Sequence, residues 1–190
     1  MSAMIIKILP ERSNRLEICT QIEAIFFQTS SVQNFSSIQV RTSFKDRWLT
    51  PYLQPDKSNE FFSIWVVMQE LKVVGYLTGH SHTALFREKH DHLSLSLFAD
   101  LHAAFPAHLH INMAPGQQGK GLGAALIQAY LQELQSQGIR GVHLVTGPQA
   151  RNISFYRRQG FTMEYLRTSG GSDLLFMGQK ADNISFVGPS

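Results

Sequence analysis

The sequence predicts an α/β fold, and three observations carry that reading. Short apolar or alternating runs of strand length are interleaved with longer stretches of helical period. Clusters of glycine, proline and small polar residues mark the joins. A glycine-rich turn at 115–123 links an alternating run to a long helical pattern. With 190 residues, 43% hydrophobic and 16% charged, the chain has the size and composition of one soluble globular domain. No repeat or boundary is visible, so residues 1–180 read as a single domain and 181–190 as a loose tail.

Residues 4–9 form a first expected strand, closed by Pro10. Leu16, Ile18, Cys19, Ile22, Ile25 and Phe26 set a helical period over about 13–28. Cys19 is the only cysteine and reads as buried filler on that helix; a lone thiol makes no internal disulfide and fits a reducing cytoplasm. Residues 29–42 are rich in Ser, Gln and Asn and read as a loop, and 43–53 as a second helix carrying Phe44, Trp48 and Tyr52. A turn-rich break follows at 55–60. Residues 61–68 and 72–78 make a hairpin turning near Glu70. Residues 83–106 look like an insertion, helical from Leu95 to Ala104. Then come a strand at 107–114, a helix at 120–137 closed by Gly138, a strand at 141–146 and a helix at 151–159 closed by Gly160. A hairpin of 161–167 and 173–179 across Gly170 and Gly171 ends the pattern.

Several function classes are disfavoured. The net charge is +3 with no dense Lys/Arg run, so nucleic-acid binding is not expected. No apolar run approaches a membrane span, and the first residues lack a basic segment followed by a long apolar core. His80/His82, His90/His92 and His108/His110 are three His-x-His pairs in separate segments without a nearby cysteine, and no metal site is expected from them. Lys120, Arg140, Arg151, Arg157 and Arg158 gather in the half of the chain that holds the glycine turn, as phosphate partners or as solvated faces.

A strand, a glycine turn and a helix in succession aim backbone N–H groups at whatever sits at the helix N-terminus. There the orphan donors and the helix dipole favour an anion. Gly119, Gly121 and Gly123 remove side chains that would hold a phosphate away. A nucleoside-triphosphate loop does not fit, because Leu122 follows Gly121 where that motif needs Lys-Ser/Thr. A dinucleotide fingerprint fits the glycines but lacks its acidic ribose partner, since 139–149 contains no carboxylate.

Gln118-x-x-Gly121-x-Gly123, preceded by Pro115, resembles the acetyl-CoA pyrophosphate loop of the GNAT acetyltransferase superfamily. The second family motif follows in order: Asn152-Ile-Ser-Phe-Tyr156-Arg-Arg-Gln-Gly160-Phe161. The run 105–115 is similar to the acetyltransferase-like domain of O-GlcNAcases and its free-standing bacterial relatives. The element order β-α-α-β-β-(insertion)-β-α-β-α-β-β is that of the GNAT fold. The resemblance therefore implies three layers, with helices on both faces of a mixed, largely antiparallel sheet.

It also implies acetyl-CoA as co-substrate and a site. The main chain of Ile111, Asn112 and Met113 would hold the pantetheine arm where the strands at 107–114 and 141–146 splay apart. The N–H groups of Gln118, Gly119, Lys120, Gly121, Leu122, Gly123 and Ala124 would hold the pyrophosphate. Asn152 would bind the cofactor arm, a role compatible with capping its helix. Tyr156 stands at the family position of the general acid. Strand alternation puts His108, His110 and Asn112 on one face and Leu109, Ile111 and Met113 on the other. Relatives often carry an aspartate at position 112; an amide cannot take a proton, so His110 is the candidate base, with a water chain as the alternative. The acceptor is a small-molecule or protein amine, with Trp48, Tyr52, Phe61 and Phe62 as candidate pocket residues. The assembly expected is a monomer or homodimer. The competing reading is a non-catalytic acetyl-CoA-binding or protein-interaction module on the same fold.

Overall fold

The computed structural model describes residues 3–30, 32–54, 61–90 and 92–180. In chain order the elements are β1 (Ala3–Lys7), α1 (Arg15–Thr29), α2 (Ile38–Trp48), α3 (Thr50–Leu53), β2 (Phe62–Gln69), β3 (Lys72–His80), α4 (Thr83–Lys89), α5 (Leu93–Ser96), a 3-10 turn (Ala99–Leu101), β4 (Ala107–Met113), α6 (Leu122–Ser136), β5 (Gly141–Thr146), α7 (Ile153–Arg158), β6 (Met163–Ser169) and β7 (Ser172–Lys180). The class is α/β, with seven strands hydrogen-bonded in the order β1-β2-β3-β4-β5-β7-β6. The β1–β2, β2–β3, β5–β7 and β6–β7 pairs are antiparallel and β4–β5 is parallel, giving the mixed, largely antiparallel sheet expected. The chain divides into two compact units, Met1–His80 with His110–Tyr130, and Ser81–Leu109 with Leu131–Ser190.

In the first unit, α1 buries Ile18, Ile22 and Ile25 in one cluster with Ile64, Val66 and Met68 of β2 and Tyr76 of β3. Cys19 packs against the same cluster, and burial raises its thiol pKa. Gln21 of α1 ties the sheet further by accepting the Val73 N–H at 2.7 Å. A Cβ on Gly79 would meet the Tyr130 ring of α6. Tyr76 and Gly79 differ in parity, so α1 and α6 cover opposite faces of this part of the sheet.

Two segments here depart from the sequence reading. The expected loop at 29–42 ends earlier, because Ser37 caps α2 by accepting the Val40 N–H at 3.2 Å. The expected helix at 43–53 is two helices, broken at the buried Leu49 and restarted with Pro51 in the first turn of α3. No residue of α2 is fully buried, so its first turns carried no apolar period to read. The break expected at 55–60 and the tail at 181–190 lie outside the described residues. The hairpin turn at Glu70 is present, with Glu70 at φ 55°.

The second unit contains the segment read as an insertion. It is helical from Thr83 rather than from Leu95, as α4, α5 and the 3-10 turn. Its anchor is polar. The Thr83 hydroxyl donates to the Pro106 carbonyl at 2.8 Å, so the His108 Nδ1–H donates to Thr83 Oγ1 at 2.9 Å. His143 Nδ1–H donates to the Phe105 carbonyl at 2.9 Å, and its ring stacks on Phe176 and on His102 at 4.6 and 5.2 Å. Arg167 holds Asp100 with a forked pair at 2.6 and 2.8 Å and donates to the Leu97 carbonyl. The parallel ladder registers Ala107↔Val142 and His108↔His143. Leu109 and Leu144, both in this unit, already lie past its end.

His102 is 5% exposed, and neither ring nitrogen has a hydrogen-bond partner among the described residues. Burial, helped by the Arg87 guanidinium and opposed by Asp100, holds its pKa down to about 4. The folded value lies below the unfolded one of about 6.5, so this stabilisation is complete above that pH and is lost as pH falls toward 4. Discounted for partial solvent screening, the loss is about 1–2 kcal/mol. Urea unfolding at pH 7 and pH 4.5 should show a smaller acid loss for His102→Phe than for the parent; an equal loss in both would contradict this.

Candidate functional site

The end of β4 passes through the glycine turn into the start of α6, and residues 110–130 of this stretch belong to the first unit. The turn is anchored at its start, where the Ala114 N–H donates to the Val74 carbonyl at 2.9 Å and the Gln117 N–H to the Ala114 carbonyl at 3.0 Å. Gln118 folds back so that its Nε2 donates to the Met113 carbonyl at 3.1 Å, and Lys120 Nζ donates to Gln117 Oε1 at 2.9 Å. Gly116, Gly119 and Gly121 adopt φ of 76°, 76° and 77°, the left-handed region that L side chains avoid. Conformation is therefore a second reason for glycine there. Gly123 is different, since it lies inside α6 and has no positive φ. The first helical bond runs from the Ala125 N–H to the Gly121 carbonyl at 3.1 Å. Leu122, Gly123 and Ala124 thus keep N–H groups with no intrahelical partner at the positive end of a 15-residue helix. That arrangement can hold an anionic group.

The two faces of β4 divide as expected. Asn112 Nδ2 donates to the Tyr76 hydroxyl at 2.8 Å, on the α1 side of the sheet. Met113 lies against Gly75, on the other side, where a Cβ would strike its sulfur. His110 shares the Asn112 face, and its ring meets Tyr52 edge-on at 5.3 Å. Together His110, Asn112, Tyr76 and Thr78 line one wall of a cavity of about 290 Å³, with Phe26, Phe44 and Trp48 opposite. Of the aromatics expected at an acceptor pocket, Trp48 lines this cavity. Tyr52 is fully buried beside His110 and Phe62, and Phe61 and Phe62 pack on His80 at 5.8 and 4.6 Å. Phe26 and Phe44 read from the sequence only as positions on helices, and their spacing gives no sign that they face a cavity.

In the second unit, Tyr156 is 5% exposed on α7, between Phe155 and Phe161. Burial pushes its phenol up to about 12. Asn152 occupies the N-cap position but makes no capping bond; its Nδ2 donates to the Tyr156 hydroxyl at 3.1 Å instead. The motif's Asn and Tyr are thereby one hydrogen-bonded unit, a relation the i, i+4 spacing permits. Arg157 is engaged by Glu164 through bonds of 2.6 and 2.9 Å, which removes it from the set of open phosphate partners. Among the described residues no cluster of three or more His, Cys, Asp or Glu is arranged to hold a metal ion, and no helix is long and apolar enough to cross a membrane.

Residues 30–161 match the model of the Acetyltransferase (GNAT) family, well over half of the chain. The chain belongs to the GNAT acetyltransferase family. Acyl transfer is the chemistry of that family. Among solved structures, SsHAT is similar over 95% of this chain and 99% of its own, at 22% identity and a TM-score of 0.70. The PaiA N-acetyltransferase from Thermoplasma acidophilum, in complex with coenzyme A, is similar over 95% and 99% at 15% identity and a TM-score of 0.62. The ribosomal-protein-S18-alanine N-acetyltransferase from Escherichia coli is similar over 97% and 100% at 16% identity and a TM-score of 0.60. At these identities the likeness is one of fold.

The two kinds of glycine in this GNAT loop separate in stability. Gly121→Ala should lower the unfolding free energy by about 1 kcal/mol, because alanine resists the left-handed region. Gly123→Ala should raise it by about 0.5 kcal/mol, as alanine does inside a helix. Urea midpoints measure both; a loss at Gly123 as large as that at Gly121 would contradict the distinction.

Proposed function

We propose that the protein is an N-acetyltransferase that moves an acetyl group from acetyl-CoA to a primary amine by direct attack, the chain to about residue 180 serving as one catalytic domain. The observation that carries the reading is the turn with left-handed Gly116, Gly119 and Gly121 opening onto free amides of α6. A pyrophosphate fits those donors through Gln118, Gly119, Lys120, Gly121, Leu122, Gly123 and Ala124. The main chain of Ile111, Asn112 and Met113 suits the amides of a pantetheine arm, and Asn152 the same arm from α7. The PaiA neighbour solved with coenzyme A supports the same donor.

Acetyl-CoA supplies an activated thioester. An amine is nucleophilic only without its extra proton, and the bond it forms to the carbonyl carbon must be matched by release of one N–H proton and loss of the thiolate. His110, on the wall of the 290 Å³ cavity, is the candidate acceptor of that proton. Tyr156 is the candidate donor toward the departing sulfur. Its phenol at about 12 keeps its proton at neutral pH but holds it more tightly than a thiol near 8.5 does. Tyr156 therefore acts by a hydrogen bond that grows as charge develops on sulfur, and solvent completes the protonation. Asn152 orients its hydroxyl. Asn112 in place of a carboxylate leaves the direct base role to His110 or to a water chain.

Calorimetry with acetyl-CoA tests the donor, and absence of binding at millimolar concentration would remove both the transferase and the non-catalytic sensor readings. Tyr156→Phe should lower kcat about 100-fold on an accepted amine, with acetyl-CoA affinity changed less than about two-fold. An unaltered kcat would take Tyr156 out of the mechanism.

A further inference from the structure

A second cavity of the first unit lies away from β4, between the start of α1 and the joint of α2 with α3. Its volume is about 440 Å³, and among the described residues none lines both this cavity and the one beside His110. Arg12 and Arg15 line it, and each is held in place by one bond. Arg12 Nε donates to Asn14 Oδ1 at 2.7 Å, and Arg15 Nη2 donates to the Leu53 carbonyl at 3.0 Å. Asn14 occupies the N-cap of α1, yet its side chain makes no capping bond, so its oxygen serves the guanidinium instead of the helix. A guanidinium has five N–H donors, so most of those on Arg12 and Arg15 remain. Neither arginine is paired with a carboxylate among the described residues. Burial raises the pKa of the Cys19 thiol, which also lines the cavity, and the Arg15 charge draws it back, so that charge lies close to the thiol. Glu23 is the one carboxylate among the described lining residues, and Lys45 holds it at 3.4 Å. Three cations against one carboxylate leave two positive charges for an occupant to balance. The Thr20 hydroxyl donates to the Leu16 carbonyl at 3.0 Å and the Thr50 hydroxyl to Asp46 Oδ1 at 2.9 Å. Both protons are spent, so toward a ligand these two oxygens are acceptors.

We propose that this cavity binds a small phosphate monoester with a hydroxylated body, a molecule of sugar-phosphate type, with the phosphate on the guanidiniums of Arg12 and Arg15 and the hydroxyls donating to Thr20 and Thr50. A phosphate dianion matches the two positive charges and offers enough oxygens to accept from both forks, whereas a monocarboxylate would leave one charge unbalanced. Free phosphate would satisfy the arginines but leave most of a cavity of about 440 Å³ unfilled and both threonine oxygens without a donor. Lys45 stays with Glu23. The site binds and does no chemistry, and it stands whether or not the glycine turn receives acetyl-CoA.

Cys19 is the chain's single cysteine and lines this cavity, so its alkylation by iodoacetamide reads this site and is blind to an anion on the glycine turn. Glucose 1-phosphate should slow that alkylation saturably at about pH 7.5, by at least about five-fold at saturation and with half the effect below about 1 mM. Glucose should leave the rate unchanged, and inorganic phosphate should need at least about 10-fold more for the same protection. Protection should weaken as pH falls toward about 5.5, because a phosphate monoester regains its second proton near pH 6. Arg12→Gln should weaken protection about 10-fold while leaving the unprotected rate and the urea midpoint nearly unchanged. If the thiol of the free protein resists the reagent, the amide resonances of residues 12–20 followed by NMR give the readout in the same titrations. Protection by glucose alone, or equal potency of inorganic phosphate, would overturn the assignment to a phosphate monoester. Neither protection nor an amide shift at about 10 mM glucose 1-phosphate, or protection undiminished in Arg12→Gln, would overturn the site itself.

Discussion

The structure of the site depends on how one strand ends. β4 cannot run straight into α6, because the chain must reverse while keeping the first amides of the helix open. Gly116, Gly119 and Gly121 make that reversal possible by occupying a region of backbone space that other residues enter only with strain. Gln118 fastens the turn back to the end of the strand through the Met113 carbonyl. The same strand end presents Asn112 to Tyr76 on one side of the sheet and Met113 to Gly75 on the other. The open helix amides, the left-handed turn and one cavity wall are thus consequences of one short segment having one conformation.

Polar groups in this protein are held in pairs, and the pairs set their chemistry. Asn152 with Tyr156 and Asn112 with Tyr76 each join an amide to a buried phenol, and burial raises both phenols above the ordinary range. Neither tyrosine carries charge at neutral pH. They are fixed dipoles, able to stabilise charge that develops near them without the reorganisation that water would need. In the second unit, Thr83 with His108 and Phe105 with His143 show the same economy, keeping buried imidazoles oriented.

Much of this was legible in the sequence because backbone chemistry leaves strong marks. Leu122 after Gly121 and the lack of a carboxylate in 139–149 disfavoured other phosphate loops, and the Asn-Tyr motif at 152–156 sharpened the resemblance to the family that residues 30–161 then matched. Strand alternation placed His110 and Asn112 on one face of β4, where the structure has them. What the sequence hid depends on tertiary placement. Helix α2 began six residues or so before its apolar signal, at a serine whose cap needs only one hydroxyl. Phe26 and Phe44 read only as helix positions, since a ring facing a cavity and a ring facing a core have the same period. Thr78 sat unnoticed in an apolar strand, and only burial without a partner distinguishes it. The amide at position 112 became intelligible once its hydrogen bond to the Tyr76 hydroxyl was seen.

The central claim is that the left-handed glycine turn and the first amides of α6 receive the pyrophosphate of acetyl-CoA. Amide resonances followed by NMR during addition of coenzyme A test it most directly. The N–H signals of 118–124 should shift together and saturably. Saturable shifts confined to other parts of the chain, with 118–124 unmoved, would contradict the account.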